Sequence, residues 1–253
     1  METAAPLHWH ESDVRSKGVR QRRFDIERAG RTVPALLWTP DGAEGPRPLV
    51  LVGHGAAQTK SEGYVVALAR MLVRHHSFAV AAIDGPVHGD RRSDGGLDGS
   101  LMMLEFGQRW AEDPELTDAM IADWTAVLHA VQQLPEIGEE RVGYWGLSMG
   151  TLLGLPLVAA EQRIVVAVLG LAGLAGPTAD RLAADAAAVR CPVLFLVQWD
   201  DTLFVRERVF ALFDALGTTD KRLHANPGAH SAVPAEEFVA TASFLADHLA
   251  GSS

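Results

Sequence analysis

The sequence predicts an α/β domain: a mostly parallel, eight-stranded sheet with helices on both faces. Three observations predict it. Two strand-like runs near the start, residues 19–27 and 32–38, are joined by Ala29-Gly30 and read as an antiparallel hairpin. After them, short apolar runs alternate with segments of helical period, the pattern of repeated β-α units. Glycines and reactive polar residues then gather where the apolar runs stop, and ligands of parallel sheets bind beyond those carboxyl ends.

Taken in order, residues 1–18 are a polar lead, and 40–48, with three prolines and two glycines, is a surface loop. Leu49-Val50-Leu51-Val52 is apolar at every position, as a central strand covered on both faces must be. It ends in Gly53-His54-Gly55-Ala56. Ser61 is placed to cap a helix reaching about His75, with Tyr64, Leu68, Met71 and Leu72 at helical spacing. Residues 78–83 form the next buried strand and close with Asp84-Gly85-Pro86-Val87-His88-Gly89-Asp90. Segment 90–115 is long for a connection and carries the apolar group Leu101, Met102, Met103, Leu104 and Phe106, so it is expected to form a short lid helix over the site. A helix over 118–134 follows, with Ile121, Trp124, Leu128 and Val131 on one face. Beyond the serine motif described below come strands at 165–169, 193–197 and, weakly, 221–224. They are interleaved with a short helix and with helices at 205–216 and 234–249.

Composition narrows the class. A chain of 253 residues suits one large domain, and 48% hydrophobic against 21% charged residues excludes a disordered or fibrous protein. With 32 acidic and 22 basic side chains the formal net charge is −10. Arg15, Lys17, Arg20, Arg22, Arg23, Arg28 and Arg31 therefore read as a solvated hairpin, and no nucleic-acid partner is expected. The lone cysteine, Cys191, cannot form an internal disulfide and precedes a buried strand. Without an apolar leader or membrane-length run, the chain is expected to be cytoplasmic, with no membrane partner. A homodimer is compatible with this composition.

The chemistry is concentrated in residues 141–151, RVGYWGLSMGT. The first half alternates as a buried strand and the second opens into a helical run at 152–161. Ser148 thus stands where strand turns to helix. Gly146 and Gly150 leave room for that tight turn, the hydroxyl is held clear, and the positive end of the helix favours an oxyanion beside it. The arrangement predicts acyl transfer.

A serine hydroxyl needs a base to take its proton and a carboxylate to orient that base. His230, in the glycine- and proline-bearing stretch Asn226-Pro227-Gly228-Ala229-His230-Ser231, has no packing reason to be there and is the candidate base. Asp200 and Asp201, after the seventh predicted strand, are both candidates for the acid, one to face the histidine and the other to cap a turn.

The order serine, aspartate, histidine, the elbow, and the His54-Gly55 pair after an early strand together resemble the α/β-hydrolase superfamily, and within it the dienelactone-hydrolase-like serine esterases. The resemblance covers about residues 19–249, so 19–250 is expected to be one α/β-hydrolase domain. It implies Asp201 as the acid, with Gln198 where a glycine is common and Leu203 and Phe204 following. It also implies an oxyanion hole made by the backbone N–H groups of Ala56 and Met149, with His54 bracing its loop, and a pocket wall at the segment containing His88. Dienelactone hydrolase itself carries a cysteine nucleophile, so the serine here favours general esters.

The expected function is hydrolysis of small to medium carboxylic esters through an acyl-enzyme, with no metal and no organic cofactor. His88, Met103, Phe106, Trp199 and Phe204 are the expected pocket residues. A thioesterase or an amide hydrolase would use the same triad, and a non-catalytic binding protein could be built on the same scaffold.

Overall fold

The apolar run at 49–52 lies in β4 (Arg47–Gly53), at the middle of a sheet ordered β1-β2-β3-β5-β4-β6-β7-β8-β9. This computed structural model describes residues 4–42 and 44–250. β4 pairs in parallel with β5 (Ala79–Ile83) on one side and β6 (Ile137–Gly146) on the other. The parallel series continues through β7 (Ile164–Gly170), β8 (Val193–Gln198) and β9 (Lys221–Asn226). Because side chains alternate across a strand, Leu49 and Leu51 enter one core and Val50 and Val52 the other. The first core lies under α3 (Leu116–Val131), α4 (Met149–Ala160), α5 (Ala179–Ala188) and α6 (Arg206–Ala215). The second lies under α1 (Gly63–His76) and α7 (Ala235–Leu249).

The sheet has nine strands where the sequence predicts eight. The addition, β1 (His8–Ser16), pairs antiparallel with β2 (Val19–Arg28) and falls in the segment expected to be only a lead, of which residues 1–3 lie outside the described residues. All nine of its residues are exposed, so no apolar alternation betrays it. β2 and β3 (Arg31–Pro40) form the predicted hairpin. Its arginines are ion-paired: Arg22 with Glu136, Arg23 with Asp90, and Arg28 and Arg31 with Asp123.

Two further expectations change. Glu62, not Ser61, is the N-cap of α1, because the Gly63 N–H turns back to the Glu62 carboxylate. The expected short lid helix is α2 (Gly99–Glu112), 14 residues long and capped by Asp98, which accepts from the Ser100 and Leu101 N–H groups. A Cβ at Gly99 would stand 2.9 Å from the Ala57 carbonyl, and one at Gly176 2.6 Å from the Trp110 ring. α2 therefore spans from the loop after β4 to the loop after β7, across the carboxyl ends of the strands. No helix among the described residues is long and apolar enough to cross a membrane.

Candidate active site

The turn between β6 and α4 holds Ser148 at φ 58 and ψ −120, a conformation that a non-glycine residue adopts only when its surroundings enforce it. Here they do. A Cβ on Gly146 would lie 2.7 Å from the Gly150 carbonyl, and one on Gly150 2.7 Å from the Gly53 carbonyl, so both glycines are demanded by close backbone approach. The Ser148 N–H donates to the Gly170 carbonyl (3.0 Å), and the Thr151 hydroxyl, which accepts from the Gly170 N–H at 2.8 Å, ties the turn to β7. From below, the Tyr144 hydroxyl donates to the Gly150 carbonyl at 2.6 Å, and burial raises its pKa so that it stays a neutral donor.

Three of the predicted residues meet at this turn. His230 Nε2 is 2.9 Å from Ser148 Oγ, and His230 Nδ1 is 2.7 Å from Asp201 Oδ2. Because a carboxylate only accepts, the Nδ1–H donates to Asp201 and the Nε2 lone pair is left to take the serine proton. Asp201 Oδ1 accepts from the Leu203 N–H (2.8 Å) and the Phe204 N–H (3.2 Å), so both oxygens are held. The other candidate acid, Asp200, turns away and accepts from the Gly228 N–H at 2.9 Å. The Asp201 side chain is 4% exposed and that of His230 18%, dry enough to strengthen their bond while the ring stays partly open to solvent.

The N–H groups of Met149, next to Ser148 in the chain, and of Ala56 have no hydrogen-bond acceptor among the described residues. Met149 opens α4, so the helix's positive end adds to its N–H. The loop carrying Ala56 is braced from behind. The Gly55 N–H donates to Tyr64 Oη (3.0 Å) and Gln58 Oε1 (3.2 Å). His54 donates from Nδ1 to the Gly55 carbonyl and accepts at Nε2 from the Gly85 N–H, each at 2.8 Å. Burial pushes the His54 pKa down to about 4, so the ring stays neutral and keeps both bonds.

The expected pocket residues divide. Phe204 lies with its ring centroid 5.9 Å from that of His230, and Phe106 is buried on α2 at 5.9 Å from His88. His88 is wholly buried beside His54; its Nδ1 donates to the Pro86 carbonyl at 2.6 Å, its pKa is lowered by burial, and its Nε2 has no partner among the described residues. Met103 is 47% exposed on α2, and its neighbour Met102 takes the buried position. Trp199 is 40% exposed and packs against Arg206 and Phe210 on α6.

Sequence reasoning missed the salt bridge beneath the loops. Lys60 Nζ lies 2.5 Å from Asp84 Oδ2 and also pairs with Asp90, while the Lys60 and Asp90 N–H groups each donate to Asp84 at 2.9 Å. A polar run such as Gln58-Thr59-Lys60-Ser61 reads as exposed loop, and nothing in its spacing tells which lysine is buried.

No protein-family model and no curated relative matches the chain. Solved structures do. A PEG-bound cold-adapted esterase from an Arctic intertidal metagenomic library is 41% identical over 95% of this chain and 99% of its own, with a TM-score of 0.85. Acetyl xylan esterase 1 from Thermoanaerobacterium sp. JW/SL YS485 shares the fold at 18% identity, over 96% of this chain and 88% of its own, with a TM-score of 0.70. A dienelactone hydrolase-like promiscuous phosphotriesterase from metagenomic libraries does so at 20% identity, over 92% and 99%, with a TM-score of 0.74. By its 41% identity to a solved esterase along nearly the whole length of both chains, this chain belongs to the family of that esterase, carboxylic ester hydrolases on an α/β-hydrolase fold that the dienelactone-hydrolase-like proteins share.

Proposed function

We propose that the chain cleaves small to medium carboxylic esters in two steps through an acyl-enzyme on Ser148. The observation that supports this most is the continuous line of hydrogen bonds from Ser148 Oγ through His230 to Asp201. His230 takes the serine proton as Oγ bonds to the ester carbonyl carbon, and returns it to the departing alkoxide, which leaves as the alcohol. Water, deprotonated by the same nitrogen, then attacks the acyl-enzyme; the acid departs and Oγ recovers its proton. Met149 and Ala56 N–H groups face the developing oxyanion, each stabilising it by about 3 kcal/mol in the transition state. No metal or organic cofactor takes part in this reading.

Substrate size follows from the surroundings of the triad. α2 crosses the strand ends, and Phe204 adds an apolar wall beside His230, which suits a short acyl or alcohol group better than a polymer. Hydrolysis of p-nitrophenyl esters from acetate to decanoate by the wild type and Ser148→Ala tests the proposal. Activity peaking at short to medium chains and falling at least about a thousandfold in the variant is expected. Preference for thioesters or anilides over every ester would contradict it.

A further inference from the structure

Gln198 is the last residue of β8, three positions before Asp201, and its side chain is enclosed by the loop that carries His230. Its Nε2 lies 2.8 Å from the Ala232 carbonyl and 3.4 Å from the carbonyls of both Pro227 and Ala229. These three acceptors bracket His230, two before it in the chain and one after. An amide nitrogen carries two protons, so one is directed to Ala232 and the other is shared between Pro227 and Ala229. The loop folds tightly around this group. Ala232 N–H donates to the Ala229 carbonyl at 2.9 Å, and Gly228 turns at φ 108 so closely that a Cβ there would meet Ala232 at 3.1 Å.

The other end of the amide is left unpaired. Gln198 Oε1 is buried without a hydrogen-bond partner among the described residues, a cost that a side chain serving only to fill space would avoid. Main-chain bonds tie the same two segments together: Trp199 N–H to the Asn226 carbonyl (2.8 Å) and Asp200 N–H to the Gly228 carbonyl (3.0 Å). They stop at Gly228. Beyond it, from Ala229 to Ala232, Gln198 supplies the bonds from β8 to the histidine loop.

We propose that Gln198 is a positioning residue whose amide N–H2 group fixes the His230 loop, and so holds Nε2 in line with Ser148 while Nδ1 stays on Asp201. This rests on the triad reading above. The imidazole serves both acylation and deacylation, so a loosened loop slows the two steps together: kcat falls and KM stays. A residue required only for packing has no such signature.

The test compares Gln198→Met, which keeps length and volume but has no N–H, with Gln198→Glu, which keeps shape but turns an acceptor towards three carbonyl oxygens. Thermal melts establish that each is folded, and Ser148→Ala and His230→Ala are assayed on p-nitrophenyl acetate beside them. We expect kcat about ten- to a hundredfold lower in Gln198→Met with KM within about twofold, a larger loss in Gln198→Glu at neutral pH, and a broadened or shifted downfield NMR proton for His230 Nδ1–H. Folded Gln198→Met with wild-type kcat overturns the proposal while the two triad variants remain inactive. Wild-type hydrolysis by Ser148→Ala or His230→Ala overturns the triad reading and this inference together. In the wild type itself, the Gln198 side-chain amide protons must exchange slowly with solvent; exchange as fast as that of an exposed glutamine also overturns it.

Discussion

Asp201 divides its carboxylate between two tasks: Oδ2 accepts the His230 Nδ1–H at 2.7 Å, while Oδ1 accepts two backbone N–H groups of its own loop. The carboxylate is thus locked in place for the role the proposed mechanism gives it, orienting His230. The Asp200 carboxylate, one residue earlier, accepts instead from the Gly228 N–H. Asp201→Asn is expected to lower kcat by about a thousand- to ten-thousandfold, because an amide can hold the imidazole in the wrong tautomer. Asp200→Asn should lose less than about tenfold. Equal losses in the two variants, measured as kcat on p-nitrophenyl butyrate, would contradict this assignment.

His54 links acidity to stability. Its pKa lies near 4 in the folded chain against an ordinary 6.5, and the lowering is due first to burial. Between those values the unfolded chain binds more protons than the folded one, so stability rises with pH across the window. The contribution is complete above about pH 6.5 and is lost as pH falls towards 4, by about 3 kcal/mol in all. Urea midpoints measured from pH 7 to pH 4 should fall more steeply in the wild type than in His54→Gln. Parallel slopes would show that His54 does not carry this dependence.

Lys60 and Asp84 form an ion pair in which the side chains are 4% and 0% exposed. Removing only the cation leaves a buried carboxylate with its backbone bonds but no countercharge. Lys60→Met is expected to destabilise the fold by about 3–5 kcal/mol, and Lys60→Met combined with Asp84→Asn by less than the sum of the single changes. Chemical denaturation checks both; a Lys60→Met variant within 1 kcal/mol of wild type, on the order of a surface pair, would contradict it.

The parts that could be read in the sequence are those with strong local grammar. Gly146 and Gly150 around Ser148 announce a turn that no larger residue can make, and the uninterrupted apolar run Leu49 to Val52 announces a strand buried on both faces. His230 stood out because a histidine in a glycine- and proline-bearing loop has nothing to pack against. The choice between Asp200 and Asp201 was not local, because it depends on which carboxylate meets a ring 29 residues away. β1 was hidden since an edge strand exposed along its whole length needs no apolar alternation. Which of Met102 and Met103 is buried could not be read either, because the two are alike in kind and only the rotation of α2 about its axis separates the buried from the exposed one. Gln198 and Lys60 act through long-range bonds that no spacing rule reveals.

The account stands or falls on covalent chemistry at one oxygen. The most direct measurement is the mass of the protein quenched in acid during p-nitrophenyl acetate turnover, followed by peptide mapping. The account predicts a single acetyl group on the peptide containing Ser148, absent from Ser148→Ala and accumulating in proportion to the burst of p-nitrophenol. Full turnover with no acetylated Ser148, by a protein whose Ser148→Ala variant is equally active, would contradict it.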